Sequence, residues 1–214
     1  MKSYYPEINK LQQWIEIFSA IVGLLYIPKV IKTKWIWFVV YLVILSISDF
    51  FSKDIIEAFS FDGHIYRNYY ILPLQFVFFY WLYALMSFKS YKLFIAALLV
   101  YFLSLWFESF FKYKIEILSS FSYVVGCLIL QIFVFLEFKK QIVSDSILKY
   151  YHQKMFYINI GVLVLYIGTM PFWGLYNWIK NEDDLWNISY LYFLISNCTM
   201  YLLFIASFIW GETD

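Results

Sequence analysis

Histidine, arginine and cysteine are nearly missing from this 214-residue chain, which has two, one and two of them, and charged residues make up 14% where a soluble domain carries about 25%. Hydrolysis at an intramembrane metal needs several histidine or carboxylate ligands around an open site, and His64 and His152 cannot supply that set. Cys127 and Cys198 both stand inside long apolar runs, where a thiol acts as a small hydrophobe and not as half of a disulfide. A net charge of +1 provides no basic surface for a phosphate backbone, which sets nucleic-acid binding aside. There is no Gly/Ser linker, no internal repeat and no domain boundary. G-x-S-x-G, Walker and C-x-x-C motifs are absent too. Ser104, Ser196 and Ser207 have no base placed to activate them, and the last apolar run holds no core lysine for a Schiff base. Catalysis is therefore the least favoured class, and neither a cofactor nor a metal is expected.

What the chain does have is 63% apolar residues, against about 45–50% in soluble domains. Since ~20 apolar residues cross the hydrocarbon layer, the composition predicts an all-α polytopic membrane protein, a single domain of seven transmembrane helices. The expected spans are Leu11–Ile31, Trp35–Phe51, Tyr69–Phe88, Leu93–Phe111, Ile117–Phe138, Met155–Tyr176 and Leu185–Trp210. Helices are required because each backbone N–H and C=O in lipid must be paired within its own segment, and alternating barrel strands are absent. Met1–Lys10 is polar and lacks the apolar stretch of a cleavable signal, so the first span is expected to serve as the insertion signal.

Alternate connections divide the cations nine against seven. Lys29, Lys32, Lys34, Lys89, Lys92, Lys139, Lys140, Lys149 and Lys154 fall on one side, in short loops close to span ends. The other side has Lys2, Lys10, Lys53, Arg67, Lys112, Lys114 and Lys180 among many acidic residues. The bias toward lysine in cytoplasmic loops predicts the N-terminus outside and the C-terminus inside. Residues 49–60 then carry Ile55, Ile56 and Phe59 at helical spacing among Lys53, Asp54 and Glu57, which fits an outer interfacial helix or an extension of span two into water. Trp14, Trp35, Trp37, Trp106, Trp173, Trp178, Trp186 and Trp210 lie near expected span ends, as an aromatic belt requires.

Charges within spans are the informative residues, because an ionised carboxylate at the bilayer centre costs at least ~2.5–3.5 kcal/mol and is kept only with a partner or a watery cavity. Glu16 is the foremost, with Ser19 and Gly23 following on the same helical face. By depth Asp49, Gln75 and Glu108 fall in the same outer half, and the four would line an outward-facing ligand cavity. Tyr69, Tyr70 and Trp173 would serve as aromatic walls, with Arg67 or Lys112 as counter-charges. The plainer alternative leaves Asp49 and Glu108 at headgroup level and Glu16 bonded to a neighbouring helix. A second set, nearer the midplane, holds Gln131, Asn197 and Asn159, with Glu137 at its inner edge; interhelical hydrogen bonding is its plainer role. Gly161, Gly168 and Pro171 in span six form either a hinge, centred on Gly168 and Pro171, or a close-packing seam.

Tyr157-Ile158-Asn159-Ile160-Gly161 through Gly168, and Asn197 followed by Tyr201–Phe208, resemble small seven-span inner-membrane proteins of Bacteroidota-type bacteria, although Gln75 stands where that group would have glutamate. The resemblance implies seven spans and a bacterial inner membrane and brings no activity with it. Fifteen lysines to one arginine, with abundant Ile, Phe, Tyr and Asn, agree with an AT-rich bacterial genome. Two functions fit. One is a receptor-like module that binds a small ligand, a lipid or a partner membrane protein and answers by shifting helices. The other is a small-solute carrier, for which Gln131, Asn197 and Pro171 are the candidate machinery.

Overall fold

The computed structural model describes residues 5–60, 63–111, 121–143, 152–175, 179 and 181–212. These residues are all-helical, and the one β-type contact among them is an isolated bridge between Gln153 and Glu212. Besides two single turns at Ile27–Val30 and Gly63–Tyr66, the helices are α1 (Tyr5–Leu25), α2 (Ile36–Phe50), α3 (Ser52–Phe59), α4 (Arg67–Ser87), α5 (Tyr91–Phe111), α6 (Phe121–Val143), α7 (Lys154–Gly174) and α8 (Asp183–Ile209). Lys112, residues 117–120 of the expected fifth span, Tyr176 and Trp178 lie outside the described residues.

Five helices, α4 to α8, are each long and apolar enough to cross a membrane, and the pair α2–α3 makes a sixth if counted as one bent span. The molecule has the architecture of a multi-pass membrane protein. α1 stands outside that set although it has 21 residues, because Asn9, Lys10, Gln12, Gln13 and Glu16 occupy its first two-thirds. α2 has 15 residues, about 22 Å at 1.5 Å per residue, which is shorter than the ~30 Å hydrocarbon layer. The chain then bends by 63° into α3. Ser52 Oγ donates to the Asp49 carbonyl at 2.8 Å at this bend, and Tyr66 Oη donates to the Ser48 carbonyl at 3.2 Å. Ile55 and Ile56 of α3 pack against the core while Lys53, Asp54 and Glu57 are exposed, which gives this short helix one apolar and one charged face.

α5 shows how sequence becomes lipid-facing structure. Ala97, Tyr101, Ser104, Leu105 and Glu108 recur at helical spacing and are buried, whereas Leu99, Val100, Leu103, Trp106 and Phe110 are exposed. A helix with one inward stripe and an apolar outer surface suits hydrocarbon and not water. Trp14, Trp37, Trp106 and Trp210 are likewise exposed, but Trp35 is buried and packs edge-on against Phe38 at 6.3 Å.

The core is aromatic. Tyr41 and Phe78 stack at 3.8 Å, Phe38 meets Phe204 edge-on at 5.1 Å, and Phe79 meets Tyr166 at 5.6 Å. Two spans change helical pitch: α4 is π-helical over Arg67–Ile71 and Trp81–Ser87, and α7 over Leu163–Ile167. The last of these sits directly before Gly168, with Pro171 three residues further on, and α7 continues through it. A π-segment re-seats backbone groups that a proline leaves without a donor, so the helix stays continuous. Gly161 and Gly168 both face α8: a Cβ on Gly161 would lie 3.2 Å from Met200, and one on Gly168 would collide with the Tyr192 ring.

Candidate functional site

The first half of α1, the middle of α8, the end of α2 and the start of α4 meet toward one end of the bundle around a cavity of about 340 Å³. Helical spacing explains how each element contributes. On α1, Asn9 and Gln12 line the cavity and Glu16 continues the same face one turn deeper. On α8, Tyr190, Phe193, Asn197 and Tyr201 follow at intervals of three, four and four residues and form a continuous stripe along the wall. Asp49 and Ser52 enter from the α2–α3 bend, and Arg67 and Gln75 from α4. Tyr66, Tyr123 and Tyr166 complete a wall in which phenol hydroxyls alternate with amide groups.

The polar groups are held in place by named partners. Tyr166 Oη donates to Gln75 Oε1 at 3.0 Å, and Tyr190 Oη donates to Asn9 Oδ1 at 3.1 Å, which fastens α8 to α1. Tyr5 Oη donates to Asn187 Oδ1 at 2.7 Å in the same seam. Tyr123 and Thr169 share a hydrogen bond of 2.9 Å behind the wall. The Arg67 guanidinium carbon lies 4.3 Å from the Trp173 ring centroid and 5.4 Å from that of Phe193, so two aromatic faces fix its position beside the cavity.

Glu16 is 1% exposed and its two carboxyl oxygens have no hydrogen-bond partner within 3.5 Å, while its carbonyl accepts from Ser19 Oγ at 2.7 Å and from Ser46 Oγ at 3.3 Å. The polar side chains that act on its carboxyl are Asp49 and Tyr201, which themselves line the cavity. Asp49 in turn experiences the positive charge of Arg67. The resulting cluster has two carboxyl groups and one guanidinium, with Glu16 set behind Asp49.

The residues expected from sequence divide clearly. Asp49, Gln75, Asn197 and the counter-charge Arg67 line one cavity, Glu16 stands behind it and Trp173 lies beneath Arg67. Glu108 is not brought there. It is buried at the start of α6, where its Oε2 accepts the Ser122 backbone N–H at 2.7 Å. The first N–H groups of a helix lack intrahelical partners and attract a carboxylate, which accounts for a buried glutamate away from any cavity. Glu108→Ala should lower stability by roughly 1 kcal/mol, read as a fall in the thermal midpoint, with ligand binding unchanged. Tyr69 and Tyr70 are exposed, Tyr69 sharing a 3.0 Å hydrogen bond with Ser109. Gln131 is half-buried and lines neither this cavity nor the larger one described below. Asn159 accepts from Tyr83 Oη at 2.8 Å, and Glu137 is bonded by Ser87 Oγ.

Sequence reasoning missed Asn9, Gln12 and the tyrosines of α6, α7 and α8. The α8 stripe carried a usable signal, since polar or aromatic residues at i, i+3, i+7 and i+11 mark one helical face. No protein-family profile, curated protein or solved structure matches this chain.

Proposed function

We propose that the chain is a non-enzymatic, receptor-like module of seven spans in a bacterial inner membrane, with the N-terminus outside. It binds a small ammonium-bearing solute in the cavity around Asp49. α1 would supply the added span, its polar first half facing the cavity and its apolar second half completing the crossing. The lysine-rich connections support the orientation, and the likeness to Bacteroidota-type seven-span proteins supports the count.

The observation that carries the reading is a cavity lined by the Asp49 carboxyl and the Arg67 guanidinium and walled by five tyrosines, with the Glu16 carboxyl set behind Asp49. Its volume of about 340 Å³ suits a small solute. The Asp49 carboxylate attracts a cation, and the aromatic faces add to that attraction. Arg67 leaves room for a carboxylate on the same ligand. The two π-helical segments that border the cavity, Arg67–Ile71 and Leu163–Ile167, are the elements through which a response would pass, because π-turns concentrate at functional sites and small helix shifts are a common switching move.

Thermal unfolding of the purified protein in detergent, with ethanolamine, glycine and alanine set against acetate and glucose, tests this. Ligand at 100 times its Kd should stabilise the protein by about 2.7 kcal/mol. Only the ammonium compounds should do so. Equal stabilisation by acetate or glucose, or none by any amine, removes the proposal.

A carrier remains the second reading, favoured by one observation. α4 reaches a cavity at each end of the bundle, and each of its π-segments borders one of them. Uptake of a stabilising amine into proteoliposomes, absent with Asn197→Leu, would support transport. Binding without uptake supports the receptor.

A further inference from the structure

At the opposite end of the bundle lies a larger cavity of about 690 Å³. Five lysines line it: Lys32 and Lys34 from the α1–α2 connection, Lys89 from the α4–α5 turn, Lys140 from α6 and Lys154 from the start of α7. Two carboxylates also face it, and both are already engaged. Glu137 is buried, 3.9 Å from Lys140 Nζ and bonded by Ser87 Oγ, and exposed Glu212 lies 3.9 Å from His152. Lys154 is buried and donates to the Ser207 carbonyl at 3.1 Å and the Gly211 carbonyl at 2.6 Å, which closes the end of α8, and its Nζ lies 5.7 Å from the Phe208 ring centroid.

Lys32, Lys34 and Lys89 are exposed and make no ion pair among the described residues. Lys89 sits in the left-handed region at φ 54°, a conformation a lysine adopts at a cost, held by the hydrogen bond from Ser90 N to the Ala84 carbonyl at 2.8 Å. A second, independent feature points to the same chemistry. α7 begins at this cavity, beside Gln153, with neither a side-chain cap nor an acidic residue in its first turn, whereas the first N–H groups of α2, those of Ile36, Trp37 and Phe38, are spent on the carbonyls of Thr33, Lys34 and Trp35. Uncapped helix N-termini present backbone N–H groups and positive potential to an anion.

We propose that this cavity binds a phosphate group, held by Lys34 and Lys89 and by the start of α7. An ammonium cluster of this kind takes up a compact polyanion as a set of point charges. On the proposed orientation this end faces the cytoplasm, where acidic phospholipid headgroups and phosphorylated solutes both occur, so the group has two sources. The inference does not depend on the ligand of the Asp49 cavity.

Thermal midpoints of the purified protein in detergent, measured with dioctanoyl phosphatidylglycerol, dioctanoyl phosphatidylcholine or inorganic phosphate, separate those sources. A rise with phosphatidylglycerol but not phosphatidylcholine identifies an acidic lipid headgroup, and a rise with inorganic phosphate identifies a free anion. In either case Lys34→Gln/Lys89→Gln should weaken binding at least tenfold, whereas Lys53→Gln at the other end should not change it. The double substitution relieves repulsion between exposed cations and removes no buried contact, so its ligand-free midpoint should not fall. No rise with either anion, or a rise that survives the double substitution, overturns the proposal.

Discussion

Asp49→Asn should weaken binding of an ammonium solute by about 100-fold, or about 2.7 kcal/mol. Two unit charges 4 Å apart attract by about 4 kcal/mol at the effective dielectric of a protein surface, and the cost of drying both groups takes back part of that. The substitution keeps the shape of the side chain, so packing at the α2–α3 bend is preserved. Arg67→Gln supplies the opposing arm. It removes the guanidinium that competes for Asp49, so an amine without a carboxylate should bind more tightly and acetate should bind no better than before. Glu16→Gln should have a smaller effect than Asp49→Asn, because Glu16 acts from behind Asp49 and does not line the cavity. Isothermal titration with ethanolamine and glycine reads all three. A purely structural role for Asp49, that of fixing Arg67, predicts that Asp49→Asn weakens ethanolamine no more than it weakens acetate, and that pattern sinks the binding assignment.

How much of this could be read from residues alone depends on which coordinate is asked for. Position along a helix is legible, because hydrophobic runs between charged clusters have to fit the bilayer. Each expected run carries a helix, with most ends within a few residues. Whether a helix crosses by itself is less legible. α1 is long but polar in its first half, and α2 is apolar but short. The direction a side chain faces is harder still, since it depends on neighbours that the sequence does not place. Glu108 and Asp49 have similar expected depths, yet one meets the start of α6 and the other a cavity. Asn197 shows the converse: its depth puts it with the midplane residues, and the cavity reaches down to it along the α8 stripe. The π-segments in α4 and α7 left no mark in the hydrophobic pattern, because one extra residue per turn barely alters a surface that is apolar on most sides. Tyr166, Tyr190 and Tyr201 carry no site signal of their own for a related reason, since tyrosine in a chain with 21 of them reads first as an interfacial residue.

Gly126→Ala should destabilise the bundle by about 1–3 kcal/mol, the usual penalty for adding a methyl group to a filled core. A Cβ at Gly126 would stand 2.6–2.8 Å from three carbons of the Phe76 ring, well inside contact distance. Phe76 has nowhere to go. It is fully buried, and the rings of Tyr101, Tyr166, Tyr123 and Tyr80 surround it with centroids at 5.0, 5.5, 5.9 and 6.1 Å. Backbone movement is also opposed, because the Gly126 carbonyl accepts from Tyr80 Oη at 3.1 Å and the two helices are fixed on each other there. The pair therefore sets how closely α4 approaches α6, and through Gln75, one residue before Phe76, it sets the floor of the Asp49 cavity. Phe76→Leu alone should also destabilise, by leaving a void where the outer ring carbons were. Combined, the two changes refill one another's space, so the double variant should be more stable than the sum of the single effects predicts by at least 0.5 kcal/mol, on the order of couplings between touching residues. Unfolding midpoints of the four proteins in detergent give that coupling directly, and strictly additive losses would mean that Gly126 and Phe76 do not touch.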